Sequence, residues 1–262
     1  MKVTMLGSGG SGGVPLPTPV AADGWGRCDP ANPRNRRRRV SVLVETAGRS
    51  VLIDTSPDLR EQVLAHGLPH LDAVLFTHAH ADHCHGIDDL RSLVYARKHA
   101  LPAYMTAETR RQLTTKFDYI FTSSHTLQRL YPALMDDRVI ADNGPFEAAG
   151  VAARAFRQNH GNIDSTGFRI GRFAYSTDVV ELDEAAFEAL RGVDLWIVDC
   201  LRFEPHPTHA HFDRTMEWIN RVRPRHAILT HMNQTMDYET VRARCPTGVE
   251  PGYDGLVVEI AD

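Results

Sequence analysis

Cysteine is scarce in this sequence, and the few cysteines stand far apart. The 262 residues contain four, and no two of them form a Cys-x-x-Cys pair. This spacing excludes a disulfide framework and a four-cysteine zinc site. The chain also lacks any apolar run of about 18 residues, the length that a membrane helix needs, and its start, MKVTMLGSGG, has no apolar signal region. We therefore expect a cytoplasmic protein without a membrane partner.

The chain also has no excess of positive charge. The net charge of -4 and the isoelectric point near 6.4 argue against a long nucleic acid as partner. The single basic run, RNRRRR from Arg34 to Arg39, is either a solvated loop or a segment that recognises phosphate. Length and a 42 % share of hydrophobic residues favour one globular domain over residues 1–262. The oligomeric state stays open, and a homodimer is compatible with the sequence.

A glycine motif at the start resembles a nucleotide-binding fingerprint but lacks its context. Gly7, Gly9 and Gly12 spell Gly-x-Gly-x-x-Gly after an apolar run, and this pattern binds a dinucleotide only where a helix follows directly. Three prolines follow instead, at positions 15, 17 and 19, and proline at this density excludes a helix. The motif therefore predicts a tight turn in a loop that runs to about residue 38.

Short apolar runs alternate with helical patterns, which predicts an α/β protein. A helix is predicted over 57–66 with Ser56 as N-cap, another over 87–99, and another over 184–191 with Asp183 as N-cap. A further helix through Phe212 should stop before Pro224. Residues 110–140 look like an insertion of open role. The predicted strands are 3–6, 40–45, 51–53, 73–76, 151–156, 173–175, 195–198, 226–229 and 256–260.

Six of the predicted strands end just before an ionisable or ligand-type side chain. Functional residues of open α/β sheets gather at the carboxyl ends of strands, where loops converge on a rigid scaffold. Two of the six, Asp54 and Asp199, are either metal ligands or supports for them. The six strands lead to Asp54, His78, His160, Asp178, Asp199 and His231.

The stretch FTHAHADHCHG, residues 76–86, has the composition of a metal-binding segment. Four histidines and an aspartate fall within the eight positions from His78 to His85. In an extended loop His78, His80 and Asp82 would project to one side, and His83 would turn toward a second point. One loop could then serve two ions, and imidazole with carboxylate suits Zn, Mn or Fe rather than Ca.

The ordered set of these residues resembles the dinuclear site of the metallo-β-lactamase superfamily. The resemblance spans nearly the whole chain and implies a four-layer αββα sandwich with the site at one edge of its two sheets. It also implies that one ion is held by His78, His80 and His160 and the other by Asp82, His83 and His231. Asp178 would bridge the two ions.

Several stretches resemble one branch of that superfamily, the phosphoribosyl 1,2-cyclic phosphate phosphodiesterases. They include LGSGGSGGVP, NRRRRVSVLVE, LIDTSPDLREQ, HPTHAHFD and LTHMNQTMDY. Members of the branch often hold a third, structural zinc through a Cys-x-Cys-x-x-Cys cluster and a later histidine. Here the corresponding loop offers only Cys28, and Gln234 stands three places after His231. We therefore predict that the third metal is absent.

These features predict a hydrolase with two divalent ions, Mn or Zn, acting on a small cyclic phosphate or nucleotide-like phosphodiester. Two neighbouring ions suit in-line attack on phosphorus because they stabilise both the attacking and the leaving oxygen. We assign catalysis to Asp82 and to His209. His209 lies in HPTHAHF, a segment that resembles the one carrying the branch's non-ligand catalytic histidine, and would protonate the expelled alkoxide. Its rivals for this role are His206 and His211.

Other activities use the same ligands. A thioester or lactone hydrolase of the same superfamily is the main alternative, and a transfer-RNA 3′-processing nuclease is chemically close. A β-lactamase is disfavoured because those enzymes typically lack the pair formed by His83 and Asp178. A metal-binding regulator without turnover would be expected to lack a ligand, whereas all seven positions are filled here.

Overall fold

Two seven-stranded sheets form the centre of the molecule. The computed structural model describes residues 1–19, 23–68, 70–122 and 132–261. The first sheet has the order β14-β1-β2-β3-β4-β5-β6, from the strands β1 Lys2–Gly7, β2 Ser41–Thr46, β3 Arg49–Ile53, β4 Ala73–Leu75, β5 Leu101–Thr106, β6 Met135–Ile140 and β14 Val257–Glu259. The second has the order β13-β12-β11-β10-β9-β8-β7, from β7 Gly144–Ala148, β8 Val151–Asn159, β9 Asp164–Ile170, β10 Phe173–Ser176, β11 Leu195–Asp199, β12 His226–Thr230 and β13 Val249–Pro251.

Helices cover the outer face of each sheet. They are α1 Leu59–His66, α2 Ala81–Cys84, α3 Arg91–Arg97, α4 Ala107–Lys116, α5 Asp118–Phe121, α6 Glu184–Leu190, α7 Phe212–Val222 and α8 Tyr238–Arg244, with 3₁₀ turns at Pro33–Asn35 and Ile87–Leu90. Among the described residues, no helix has the length and apolar character that crossing a membrane requires.

Three apolar clusters explain why the sheets and helices stack in four layers. Residues that alternate along the strands, such as Val44 and Phe168, fill the space between the two sheets. The opposite face of the first sheet buries Leu52 among side chains of α1, α3 and α4. The opposite face of the second buries Trp196 among side chains of α6, α7 and α8. Each fully buried aliphatic side chain contributes about 1.5–3 kcal/mol. The predicted αββα arrangement is confirmed.

Two predicted helices begin or divide differently in the structure. Helix α1 starts at Leu59, not at residue 57, with Asp58 as its N-terminal flanking residue. The Ser56 hydroxyl accepts from Asp58 N–H at 3.3 Å in the turn that precedes the helix. The preceding residues are engaged elsewhere, because Thr55 N–H donates to the His83 carbonyl at 2.8 Å. The predicted helix 87–99 divides into a 3₁₀ turn and α3. By contrast, Asp183 caps α6 through a 2.8 Å bond from Ala186 N–H, as predicted.

The segment 110–140 belongs to the fold where the structure describes it. Residues 110–122 complete α4 and form α5, and β6 pairs in parallel with β5 at the edge of the first sheet. The prediction of an insertion is therefore wrong for these parts, because polar residues on exposed helix faces resemble a loop in sequence. Residues 123–131 lie outside the described part of the chain.

The arginine run is neither a bare solvated loop nor a free anion site. Arg34 stacks on the rings of Tyr238 and Tyr253, with its guanidinium carbon 4.8 and 4.7 Å from their centroids. Arg36 lies over Trp25 at 5.0 Å. The remaining partners are Asp254 for Arg38 and Asp58 for Arg39, while Arg37 is 2 % exposed. The positive charges mainly fasten this loop to the body of the protein.

Candidate dinuclear metal centre

The six strand ends meet at one edge of the sandwich. In the first sheet β3 and β4 run parallel, so Asp54 and the segment from His78 onward leave the sheet on the same side. In the second sheet β10, β11 and β12 are parallel, and they deliver Asp178, Asp199 and His231 to the facing edge. His160 joins them from β8. The predicted convergence at this edge is found.

The structure brings the seven predicted ligands into two groups that share one carboxylate. Ligand atoms within each group lie within 4.8 Å of one another. We call these the first and the second ligand group. The first comprises His78, His80, His160 and Asp178, and the second comprises Asp82, His83, Asp178 and His231.

Asp178 presents one oxygen to each group. Its Oδ2 lies 3.7 Å from His78 Nε2 and 3.4 Å from His160 Nε2. Its Oδ1 lies 3.0 Å from His83 Nε2 and 3.3 Å from His231 Nε2. A carboxylate with this division of its oxygens has the geometry of a bridging ligand, in agreement with the role that the resemblance implied.

The local backbone of the histidine segment differs from the prediction. His80 is extended and precedes α2, so Asp82 and His83 project from a single helical turn rather than from an extended loop. The turn separates the two side chains as the two ligand groups require. Asp82 Oδ2 then lies 3.4 Å from both His83 Nε2 and His231 Nε2.

Buried hydrogen bonds fix which nitrogen each imidazole offers. Asp54 Oδ2 holds His83 Nδ1 at 2.8 Å and accepts from the Thr77 hydroxyl at 2.7 Å. Since the hydroxyl proton is used on Asp54, Thr77 Oγ1 accepts from His78 Nδ1 at 3.0 Å. The Nε2 atoms of His78 and His83 are thereby left as free donors of electron pairs.

The carbonyl of Thr208 holds His160 in the same way. It accepts from His160 Nδ1 at 2.7 Å, which leaves Nε2 facing Asp178. Thr77 and this carbonyl were not singled out from sequence. Thr77 could have been found, because it directly precedes His78 at a strand end, whereas a backbone carbonyl carries no signal in the sequence.

His209 belongs to neither of these two groups, but its ring lies with Asp199 and His231 in a third set of candidate ligand atoms within 4.8 Å of one another. Its Nδ1 is 3.1 Å from Asp199 Oδ2, its Nε2 is 3.8 Å from Asp178 Oδ2, and its ring stacks on that of His231 at 4.7 Å. Burial lowers the pKa of His209, but the charge and hydrogen bond of Asp199 outweigh burial and raise it to about 9. Asp199 contacts His209 directly, which favours the supporting role among the two that the sequence left open.

The rival histidines have other contacts. His206 accepts a 3.3 Å hydrogen bond from Thr208 N–H, and its ring centroid is 5.2 Å from that of His209. His211 is the N-terminal flanking residue of α7. Neither lies within the groups of candidate ligand atoms found among the described residues.

Three of the site residues adopt a left-handed backbone conformation. The φ angles are +61° at Asp54, +54° at Asp178 and +60° at His231. This region is uncommon outside glycine, although Asp and His tolerate it better than most residues, and it costs of the order of 1–3 kcal/mol per position. The fold requires sharp turns at these three positions because the backbone must leave each strand and turn directly into the site.

Three histidines and Asp178 have pKa shifts toward the form that binds a metal, whereas at His83 burial is outweighed by the charges of nearby carboxylates, led by Asp178, which raise the pKa. Burial, followed by the charge of His83, lowers the pKa of His78, and burial also lowers the pKa values of His80 and His160. Burial would raise the pKa of Asp178, but the charges of His231 and His83 hold it well below its usual value. Neutral imidazoles and an ionised carboxylate are the forms that bind cations.

The donor set fits two divalent ions. His78 Nε2 and His83 Nε2 are buried nitrogens without a hydrogen-bonding partner, and such groups are costly unless something occupies their lone pairs. The mixture of imidazole and carboxylate suits Zn or Mn. Five imidazoles and two carboxylates aimed at two neighbouring points have no other evident physical reason.

The place expected for a third metal is occupied by a guanidinium. Arg37 lies 3.7 Å from the Cys28 sulfur and donates to the Met236 carbonyl at 2.7 Å. The Gln234 carbonyl accepts from Arg27 N–H at 2.8 Å, so the two segments do meet. Among the described residues, Cys28 belongs to no cluster of candidate ligands. The lack of a third metal stays a prediction.

The fold and the two ligand groups define a class of protein. The family model of the β-lactamase superfamily domain matches residues 49–232, and the chain belongs to this family. It has the metallo-β-lactamase fold, with groups of side chains at the sheet edge that could hold metal ions. The predicted superfamily is confirmed.

Three individual proteins are similar to this chain over nearly its whole length. The crystal structure of a diphosphatase from the PhnP family is 34 % identical, with a TM-score of 0.87, and the match covers 98 % of this chain and 96 % of the other. Zn²⁺-bound PqqB from Methylobacterium extorquens shares the fold at 22 % identity, with a TM-score of 0.75 and coverage of 99 % and 100 %. An octanoyltransferase of Porphyromonas gingivalis is 30 % identical over 98 % of this chain but 51 % of that protein. The chain thus spans about half the length of this relative.

Proposed function

We propose that this chain is a phosphodiesterase that uses two divalent ions, Mn or Zn, on a small cyclic phosphate or nucleotide-like phosphodiester. The observation that carries the proposal is His209, a buried imidazole that neither ligand group needs. Asp199 holds it, and its Nε2 points to within 3.8 Å of the shared carboxylate. A proton donor at this place serves a reaction that expels an alkoxide.

The seven predicted ligands would hold the ions. Two divalent ions in such a site polarise phosphoryl oxygens and lower the pKa of water. Asp82 turns Oδ2 toward the ring nitrogens of His83 and His231. Its second oxygen is thus available to orient the attacking water, which is the catalytic role that we assign to it.

The proposed step is a hydrolysis with one proton transfer at His209. The attacking water gives up one proton to solvent and its oxygen forms a bond to phosphorus, while the bond from phosphorus to the leaving oxygen breaks. His209 Nε2 gives its proton to that oxygen, and Asp199 stabilises the imidazolium before the transfer and orients the ring throughout. A strained cyclic phosphate suits this arrangement because the leaving oxygen stays attached and close to the acid.

A diphosphate linkage is the second candidate substrate. It is favoured by the 34 % identity to a diphosphatase of the PhnP family over nearly the full length of both chains. The same ligands would stabilise a phosphoanhydride during attack. Phosphate is a better leaving group than an alkoxide, so this reaction would depend less on His209.

Acyl transfer is the competing chemistry. The octanoyltransferase relative supports it only weakly, because about half of that protein lies outside the match. Thioester and lactone hydrolases of the superfamily remain alternatives on the same ligands.

A panel of substrates tests the proposal. The full chain, loaded with Mn or Zn, should hydrolyse bis-(p-nitrophenyl) phosphate and a 2′,3′-cyclic nucleotide and leave an octanoyl thioester and a lactone untouched. Faster hydrolysis of the thioester or lactone would overturn the proposal. Faster hydrolysis of a dinucleoside diphosphate than of any diester would select the second candidate.

A further inference from the structure

A polar cavity opens beside the first ligand group. Its volume is about 310 Å³, the lower end of the range for small-molecule sites. One wall is the start of α4, the other is the β8–β9 hairpin, and His78 and Ala79 form part of its surface. The cavity lies on the side of the first ligand group. Asp82, His83 and His231, which belong only to the second group, do not line it.

Both walls are attached to the metal-binding segments. Thr166 N–H donates to the Thr77 carbonyl at 2.9 Å, and the Ser165 hydroxyl donates to the Asp178 carbonyl at 2.8 Å. From α4, the Lys116 ammonium donates to the Ala79 carbonyl at 2.5 Å. The cavity is therefore held rigidly against the ligands, on the side of the first group.

Hydroxyl and amide groups in the lining remain available to a ligand. Thr106 Oγ1 donates to Thr109 Oγ1 at 3.1 Å, which leaves the Thr109 hydroxyl proton unused. Gln112 spends its Nε2 on Glu108 at 2.6 Å, which leaves its carbonyl oxygen free within the described residues. The Asn162 amide lies in the lining two residues after His160, with no hydrogen bond to the described part of the chain.

The charges of the cavity disfavour an anionic group. Its charged lining residues are three carboxylates, Glu108, Asp142 and Asp164, and a single guanidinium, Arg157. Arg157 is already bonded to Asp164 at 2.7 Å, and Glu108 is paired with Arg111. No unpaired cation among the described lining residues could neutralise a second phosphate. A neutral group with several hydroxyls matches these donors and acceptors better.

We infer that this cavity binds the second substituent of the phosphodiester and selects an uncharged, hydroxyl-bearing group such as a nucleoside. The inference rests on the proposed phosphodiesterase activity and specifies its substrate. Asn162 and Gln112 determine specificity through hydrogen bonds. A substituent that carries a further phosphate is rejected by the acidic lining.

Three chromogenic esters with the same leaving group test the inference. They are methyl p-nitrophenyl phosphate, thymidine 5′-(p-nitrophenyl phosphate), and the thymidine ester with an added 3′-phosphate. Because all three release p-nitrophenolate, differences in kcat/KM measure how well the protein binds the substituent that stays on phosphorus. We expect the thymidine ester to be preferred over the methyl ester by about 10-fold or more, the worth of one or two hydrogen bonds. The 3′-phosphate should abolish this preference.

Variants connect the preference to the cavity. Asn162→Ala and Gln112→Ala should each reduce kcat/KM for the thymidine ester several-fold through KM, with methyl ester hydrolysis and metal content unchanged. Asn220→Ala, an exposed amide on α7, is the matched control and should change nothing. Equal rates of the wild-type protein on the methyl and thymidine esters, or a preference that survives in both variants, would overturn the inference alone. Lack of hydrolysis of all three esters would overturn the phosphodiesterase proposal itself.

Discussion

The two ligand groups share Asp178 but differ in charge and in access to solvent. The first combines three imidazoles with the shared carboxylate, and His80 is exposed. The second combines two imidazoles with two carboxylates, all of them buried. More negative charge and less solvent favour tighter retention of a cation in the second group. Under the proposed function, the exposure of His80 would let the first group meet the substrate, while the second group would hold its ion more tightly.

Removing the shared carboxylate should have the largest effect on this comparison. Asp178→Asn keeps the side-chain size and the left-handed backbone but removes the charge that both groups use. We expect both ions to be lost and activity to fall by more than about 100-fold, the upper end seen for outer partners of ligands. Elemental analysis and hydrolysis of bis-(p-nitrophenyl) phosphate measure this. Full occupancy by two ions would contradict the bridging role.

Removing one unshared ligand from each group should separate the two ions. His80→Ala should empty the first group, and Asp82→Asn should empty the second, so each variant would retain about one ion per chain. During dialysis of the wild-type protein against a chelator, the first ion should leave before the second. If His80→Ala loses its remaining ion more readily than Asp82→Asn does, the proposed order of affinities is wrong.

Removing the acid should affect turnover without affecting either group. His209→Ala should retain both ions and lose about 10²–10⁴-fold in rate on an alkyl or cyclic phosphodiester. The loss should be much smaller with p-nitrophenolate, a leaving group that needs no proton. His206→Ala is the matched control and should stay near wild type on both substrates. Equal losses on both substrates, or a lost ion, would remove His209 from this role.

Removing a hydroxyl that supports a ligand should lower the metal affinity of one group only. Thr77→Val preserves shape but deletes the hydroxyl that connects Asp54 to His78. We expect metal affinity of the first group to fall by about 10–100-fold, while the second group, held through His83 and Asp54, changes little. Metal titration with competition by a chelator distinguishes the two groups. An equal loss in both would show that Thr77 acts on the whole edge.

The smallest expected effect concerns the place of the third metal. Cys28→Ser should leave the zinc content at two ions per chain, because the Arg37 guanidinium lies against the sulfur where the third metal would bind. A tightly held third zinc in the wild-type protein that disappears in this variant would refute the prediction.

The sequence was most informative where chemistry and periodicity coincide. The strand ends that carry Asp54, His160 and His231 could be predicted because apolar runs stop abruptly at ligand-type residues. The helical turn under Asp82 and His83 could not, since four residues are too few to show a helical period. The cavity beside His78 was also invisible, because its walls come from α4 and the β8–β9 hairpin, which are far apart in the chain.

The left-handed turns at Asp54, Asp178 and His231 bear on how such a site can change over generations. Each position selects both a side chain and a backbone shape, so a β-branched or bulky replacement would be penalised twice. Glycine and asparagine relieve the strain while abolishing or weakening the chemistry. A descendant freed from the need for metal is thus expected to accept these two residues first, and such replacements at the three turns would mark a lineage that has abandoned catalysis but kept the sandwich.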